Sequence, residues 1–484
     1  LGSTAYIEIP CLASYAVVMT GVEPVERELK LDIDPAAADK LATGHWFADT
    51  DCVDIESVYF DTPDQVLHKA GYLLRVRHCG DRRTQTLKAR AGNAAGLFAR
   101  TEWERDIAGD IPEISDADGP LATLLAQHGH ARLKTQFRTK IERRQRRMTV
   151  GEAEVELALD RGIVIAGKRS APICELEIES VSGSASALFN VARQIALTTP
   201  LRPAALAKSD RGRLLAAKLL FRPSKAASLR LEPEMAATLA FQQIALSCLQ
   251  QFLRNAALLD HDEHPDIVHQ ARVGLRRLRS ALALFRPLLG EHASRLLNGE
   301  VRWLAQQFGP VRGLDVLIAA SRDMPSRTRL ANLRHQAFAV LLDVLRGPRV
   351  RTLLLDLTHW LTLGAWLRQP QPAPRLDTFA AAQLEHRFRR LKRRGRHFSE
   401  LDDAHRHRVR IEAKKLRYAT EFLASVFPAT KAQKRRMGWL ETLEALLDAL
   451  GDLNDQASVT ALLDEFGISA AAMPFNRAAH DALC

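Results

Sequence analysis

The sequence predicts an α+β chain: a mostly antiparallel β domain with a few helices, followed by an all-α bundle built from two related halves. Three observations carry this expectation. Residues 22–215 repeat short runs of period-two alternation, the signal of half-buried strands. From Glu232 onward, Leu, Ala and Arg recur at a spacing of three to four, the signal of helices. Within that second stretch, His269–Arg279 (HQARVGLRRLR) and His407–Arg417 (HRVRIEAKKLR) share one pattern, so the helical region contains an internal repeat.

The strand runs are Val25–Ile33, Ser57–Asp61, Leu73–His78, Thr84–Ala91, Thr101–Ile107, Gly151–Asp160 and Ile173–Ser180. Helix-like stretches, Pro35–Ala42 and Ala185–Thr198, lie between some of them. Residues 216–231 contain Pro223 in a Lys/Ser/Ala run and read as a linker. The helical domain is expected over 232–467, punctuated at Pro287 and Gly290, at Gly347–Pro348 and at Gln369–Pro374, with 468–484 as a tail. A weaker echo follows each copy of the repeat: Phe308–Val316 and Leu450–Val459.

Charge is divided unevenly along the 484 residues, which total +11. Residues 1–220 hold 29 basic and 30 acidic side chains, whereas 221–484 hold 39 and 27, an excess of 12. A polyanionic partner for the second half follows: nucleic acid, polyphosphate or an anionic surface. No run approaches 18 uninterrupted apolar residues, so no membrane helix is expected. The six cysteines are scattered without a CxxC pair, which argues against a disulfide framework or zinc ribbon and for a reducing cytoplasm. Residues 1–18 lack a basic stretch, so a signal peptide fits poorly, and Met19 is a candidate start.

Residues at i, i+3, i+7 and i+10 share one face of a helix. That face holds His269, Arg272, Arg276 and Arg279 in the first copy, and His407, Arg410, Lys414 and Arg417 in the second. Lining up four cations costs repulsion of a few tenths of a kcal/mol per pair, so two such stripes call for an anion. Nucleic acid is disfavoured because neither stripe offers an aromatic on which a base would stack. A phosphate polymer without bases fits better.

In the β domain, Glu26, Glu28 and Lys30 project from one strand face. The alternation recurs as Arg75/Arg77, Lys88/Arg90, Arg100/Glu102/Glu104, Arg138/Lys140, Glu152/Glu154/Glu156/Asp160 and Glu175/Glu177/Glu179. Each such strand has one charged and one largely apolar face. Closed into a barrel, they give either a charged interior or a charged exterior. A charged interior would be a tunnel whose acids hold a hard cation and whose bases grip phosphates.

The helical motifs VHQARVGLRRLR and HRVRIEAKKLRY resemble the CHAD domain over roughly Glu232 to Gly467. That resemblance implies inorganic polyphosphate binding by His269, Arg272, Arg276, Arg279, His407, Arg410, Lys414 and Arg417. One departure is Gly313, which interrupts an Arg-Asp-x-Asp-like segment while Arg312 and Asp315 remain. Glu26-x-Glu28-x-Lys30 resembles the signature of the CYTH, or triphosphate tunnel metalloenzyme, superfamily. VYFDTPD, YLLRVR, TLKARAG, VELALDRG, ICELEIE and AKSDRG support it between Val25 and Leu215. The implied fold is an antiparallel eight-stranded β-barrel tunnel with flanking helices. The implied activity is hydrolysis of inorganic tripolyphosphate with Mg²⁺ or Mn²⁺. Glu26, Glu28 and Lys30 would be catalytic, and Glu26, Glu28, Asp160, Glu175, Glu177 and Glu179 would be the pool of metal ligands. Lys30, Arg75, Arg77, Lys88, Arg138, Lys140, Lys208 and Arg211 would bind substrate. The other readings are thiamine triphosphatase or adenylate cyclase activity in the same tunnel, or a non-enzymatic polyphosphate-binding factor associated with granules in the cytoplasm.

Overall fold

The computed structural model describes residues 25–89, 96–115, 120–128, 132–321, 324–368 and 372–427. Met19, the 450–459 echo and the 468–484 tail lie outside the described residues, as does the side chain of Glu26. The chain forms two compact units: residues 1–224 with 346–363, and residues 225–345 with 364–484.

Among the described residues, the first unit is built on nine strands: β1 (Val25–Ile33), β2 (Cys52–Asp61), β3 (Tyr72–Cys79), β4 (Arg82–Ala89), β5 (Leu97–Asp106), β6 (Lys134–Val150), β7 (Ala153–Ala166), β8 (Arg169–Ser182) and β9 (Leu201–Pro203). Its helices are α1 (Pro35–Thr43), α2 (Val66–Lys69), α3 (Leu121–Gln127), α4 (Ser186–Ala196), α5 (Lys208–Ala216) and, much later in the chain, α11 (Pro348–Leu363). At the end of β1, the Asp34 carboxylate accepts from the amides of Ala36 and Ala37 and Pro35 opens the helix, so strand passes directly to α1. Gly151 and Gly167, at φ +62° and +59°, make the tight turns that join β6 to β7 and β7 to β8.

The sheet order is β5-β4-β3-β2-β6-β7-β8-β1-β9, antiparallel throughout, and β5 also pairs with β1. One edge of β1 meets β8 from Glu28 to Asp32. The other edge meets β5 from Val25 to Leu29, then β9 from Leu31 to Ile33. Strands β1–β8 therefore close into a ring, and β9 is added beside β1. On β1, β7 and β8 the charged faces point inward. Their apolar faces point out and are covered by helices.

Leu29, Leu31, Leu157, Leu176 and Ile178 pack outside the ring against Leu41 of α1, Leu188 and Phe189 of α4, and Leu355 of α11. Burying each such side chain stabilises the fold by roughly 1.5–3 kcal/mol. On the other side, Phe60, Leu74, Val76 and Leu87 pack against Leu67 of α2 and Leu121 and Leu125 of α3. Inside, one end is filled by Tyr59, Phe137, Ile141, Val164, Ala166, Ala171 and Ile173, closed by Leu215 of α5. Helix α11 is anchored to α4, where Arg193 donates to Asp356 Oδ1 at 2.9 and 3.0 Å and to His359 Nδ1 at 3.0 Å.

Four elements of this unit were not legible as local patterns: α2, α3, α5 and β9. Helix α5 is short and polar (KSDRGRLLA), a length at which an isolated helix is marginal in water. Its tertiary contacts make it.

The second unit is helical: α6 (Ala237–Leu258), α7 (Pro265–Leu284), α8 (Glu291–Gln307), α9 (Gly309–Ala320), α10 (Met324–Arg346), α12 (Leu376–Arg394) and α13 (Asp403–Phe422). Helices α6 and α7 approach closely at Gly274, where a Cβ would stand 2.9 Å from the Phe252 amide nitrogen. Among the described residues, no helix is long and apolar enough to cross a membrane.

Candidate functional site

Period-two geometry carries Glu28, Lys30 and Asp32 of β1 into the ring, together with Glu175, Glu177 and Glu179 of β8, and Glu156 and Asp160 of β7. The register sets Glu28 beside Glu179, Lys30 beside Glu177, Asp32 beside Glu175, and Asp160 beside both Glu175 and Arg143. The result is a dense ionic cluster. Lys30 Nζ donates to Glu28 Oε2 at 2.8 Å and to Glu177. Arg143 grips both oxygens of Asp160 at 2.6 Å and donates to Glu177 Oε2 at 2.6 Å. From α5, Lys208 Nζ reaches Asp160 Oδ2 and Glu175 Oε1 at 2.5 Å and Glu177 Oε1 at 2.9 Å. Arg211, one turn on, pairs with Asp32.

Burial and neighbouring charge compete here. Burial alone would push the Glu177 carboxyl up, but Lys208, Lys30 and Arg143 together hold it well below its ordinary range. At Lys30 burial pulls down, and Glu177 and Glu28 outweigh it, so the ammonium is held above its usual value. Glu175 is pushed up, chiefly by burial, with Lys208 opposing. On another part of the wall, Arg77 is pulled down to about 10, first by the neighbouring Arg75 guanidinium, then by burial and Arg143. An enclosed guanidinium whose hold on its proton is weakened by two neighbouring guanidiniums is an electrostatic demand for an anion.

Arg75 lies 3.6 Å from Glu102, and Lys88 pairs with Glu102 at 2.7 Å, both inside the ring. Arg138 and Lys140 do not join them. They stand on the outer face of β6 beside Glu56, at 3.6 and 3.9 Å, with side chains 49% and 55% exposed. The expectation that they bind substrate in the tunnel is corrected by the phase of β6. Phe137, Thr139, Ile141 and Arg143 alternate inward, so Arg138 and Lys140 must alternate outward. Arg143 was missed because IERRQRR carries charge on both faces and hides that phase. Asp32 and Glu102 were also missed as members of the site. Asp32 continues the Glu28, Lys30 alternation by one more step, and Glu102 faces Lys88 across the β4–β5 pair.

The carboxylate set suits a hard divalent cation. Asp160, Glu175 and Glu177 bring one oxygen each within 4.8 Å of one another, all buried. Glu175 Oε2 is buried and makes no hydrogen bond, so it is an oxygen with capacity to spare at that point.

Helix α5 is seated by contacts along its length. Arg169 donates to the carbonyls of Leu215 and Ala216 at 3.0 Å. Gly212 lies so close to Phe137 that a Cβ would stand 2.1 Å from the ring, and the ring itself stacks on Tyr59 at 4.4 Å. Gly212→Ala is therefore expected to lift α5 and lower stability by about 1–3 kcal/mol, read from a denaturant melt of the full chain.

In the helical unit, the first stripe is half-buried. Arg272 is pulled down by burial, then by Arg276 and Arg312, and Arg279 by burial and Arg302. His269 is likewise pulled down by burial, Arg312 and Arg276. Arg302 of α8 and Arg312 of α9 thus extend the stripe beyond the residues read from the repeat. The two copies meet: Arg276 donates to Tyr418 Oη at 2.7 Å, and Arg277 pairs with Glu421 at 2.6 Å. His407 is exposed, and Arg410, Lys414 and Arg417 are half-buried along the same helix, α13. Asp315 pairs with Arg334 at 2.7 Å and lies 3.8 Å from Arg312, so the segment around Gly313 retains an interhelical ion pair.

A closed antiparallel ring with acids and bases converging inside, followed by a helical unit with two facing basic repeats, defines the class: a charged β-tunnel domain joined to a basic helical domain. Residues 25–212 match the CYTH domain family, and residues 243–464 match the CHAD domain family. The chain belongs to the proteins that carry a CYTH domain followed by a CHAD domain. It is 28% identical over 200 residues to an inorganic triphosphatase of Haemophilus influenzae, a match covering 40% of this chain and 55% of that protein. The chain thus spans about half the length of that curated relative. Among solved structures, it is similar to the CHAD domain of the plant Ricinus communis, at 28% identity, 50% coverage of this chain and 83% of that one, with a TM-score of 0.46. A Hippeastrum protein, examined as a candidate adenylyl cyclase and showing a dominant triphosphatase activity, is 18% identical over 39% of this chain and 95% of its own, with a TM-score of 0.30.

Proposed function

We propose that this protein is a metal-dependent inorganic triphosphatase whose helical unit binds inorganic polyphosphate. The observation that carries the reading is the tunnel interior. It sets a buried trio of carboxylates, suited to a divalent cation, against Arg75 and Arg77, whose adjacent guanidiniums call for an anion. The similarity to an inorganic triphosphatase supports the same substrate class. Asp160, Glu175 and Glu177 would hold Mg²⁺ or Mn²⁺, with Glu28 beside them. When bound, the ion neutralises phosphate oxygens and orients the attacking water. Arg75, Arg77, Lys88, Arg143, Lys208 and Arg211 clamp the triphosphate and stabilise the charge that develops as the bridging oxygen leaves. A carboxylate of the cluster takes the proton of the water as its oxygen bonds to phosphorus. The leaving phosphate carries away the electron pair of the broken P–O bond. No covalent nucleophile is needed.

The test is a panel of tripolyphosphate, ATP, thiamine triphosphate and long-chain polyphosphate with Mg²⁺ or Mn²⁺. Preferential release of phosphate from tripolyphosphate is expected. Conversion of ATP to cyclic AMP as the main reaction would overturn the proposal. For the helical unit, Arg276→Glu combined with Lys414→Glu should weaken long-chain polyphosphate binding by roughly tenfold or more and spare tripolyphosphate turnover. Equal loss of both would mean a single shared site.

A further inference from the structure

The carboxylates that suit a divalent cation already enclose one cation of the chain itself. Lys208 Nζ lies 2.5 Å from Asp160 Oδ2 and Glu175 Oε1 and 2.9 Å from Glu177 Oε1. A metal ion bound to those same oxygens at about 2.0–2.6 Å would be in collision with the ammonium. The two cations compete for one place.

Of the three cations in the cluster, Lys208 is the one able to leave. Lys30 is held between Glu28 and Glu177 on a central strand, and Arg143 is tied by two bonds to Asp160 and one to Glu177. Lys208 stands on the first residue of α5, at the end of a flexible four-carbon stem. The helix beneath it is fixed by the Arg211–Asp32 pair, the Arg169 contacts and the seat of Gly212 on Phe137. The ammonium can therefore swing away by side-chain rotation while α5 stays in place. The charges agree. Glu28, Asp160, Glu175 and Glu177 face Lys30, Arg143 and Lys208, so the cluster is nearly balanced without a metal. A divalent ion takes that sum from −1 to +1 with Lys208 in place, and to zero once Lys208 departs.

We propose that Lys208 is a built-in counter-cation that must be released before the divalent metal enters, and that the incoming phosphate chain receives it. The inference rests on the metal-and-triphosphate reading of the tunnel. Its consequence is that metal and anion bind with positive cooperativity, each raising the affinity of the other by the same factor. Metal alone strands an ammonium without its three carboxylates; metal with a phosphate chain gives it a new partner.

The experiment is Mn²⁺ titration of the full-length protein and of Lys208→Gln, by calorimetry, with and without a non-hydrolysable imido analogue of tripolyphosphate. In the wild type, the analogue should raise Mn²⁺ affinity about tenfold or more. Lys208→Gln should bind Mn²⁺ alone about tenfold more tightly than the wild type and gain less from the analogue. Equal Mn²⁺ affinities of the two proteins without the analogue would overturn the proposal while leaving the tunnel reading intact. Absence of Mn²⁺ binding by either protein, with or without the analogue, would overturn both. A second measurement needs no variant. Acetylation of Lys208 in the wild type, mapped by mass spectrometry, should rise with Mn²⁺ alone and fall again when the analogue is added. Labelling unchanged by Mn²⁺ would equally overturn the exchange.

Discussion

Glu177→Gln is expected to reduce metal-dependent phosphate release from tripolyphosphate by roughly 10²–10³-fold or more. The reason is position. Among the described residues, Glu177 is the one carboxylate that Lys30, Arg143 and Lys208 all touch, and it also belongs to the trio suited to a metal. Glutamine keeps the volume and one acceptor oxygen but removes the charge that those three cations share. Steady-state turnover over a range of Mn²⁺ concentrations checks this, with circular dichroism to confirm the fold. Turnover within a few-fold of the wild type would remove the tunnel as the site of catalysis.

Asp160→Ala should destabilise the first unit by about 3–5 kcal/mol, because it leaves buried charge without its partner. Asp160 is fully buried, and its two oxygens serve Arg143 bidentately while one also meets Lys208. Alanine would leave Glu177 and Glu175 to compensate both cations alone. A drop in melting temperature of roughly 10 °C follows, measured without added metal so that lost metal binding does not contribute. A shift of only a degree or two would mean that water enters the cluster and screens it.

The two textures of the chain were legible because local periodicity reports which faces are apolar. Strand β1 and helix α1 fall where the alternation and Pro35 put them. Glu28, Lys30, Asp160, Glu175 and Glu177 could be named as candidates because charges at alternate positions of a strand must share a face. The repeat on α7 and α13 was legible for the same reason at helical period. Arg143 and the outward turn of Arg138 and Lys140 were not, since a strand charged on both faces has no visible phase. Lys208 sits in the AKSDRG segment, but nothing local shows a nine-residue polar helix lodging its first side chain among three carboxylates.

What the sequence by itself determined is the set of faces: which side chains travel together on each strand and helix, a consequence of pleat and helical pitch. Only the tertiary structure decided which way those faces point and what they meet. Pairing of β5 with β1 closes the ring and turns the charged faces inward, and the β6 register brings Arg143 to Asp160. The physical reason is that side-chain direction is a local property of the backbone. The meeting of residues far apart in sequence is set by register, closure and the seating of α5, which depend on the whole chain at once.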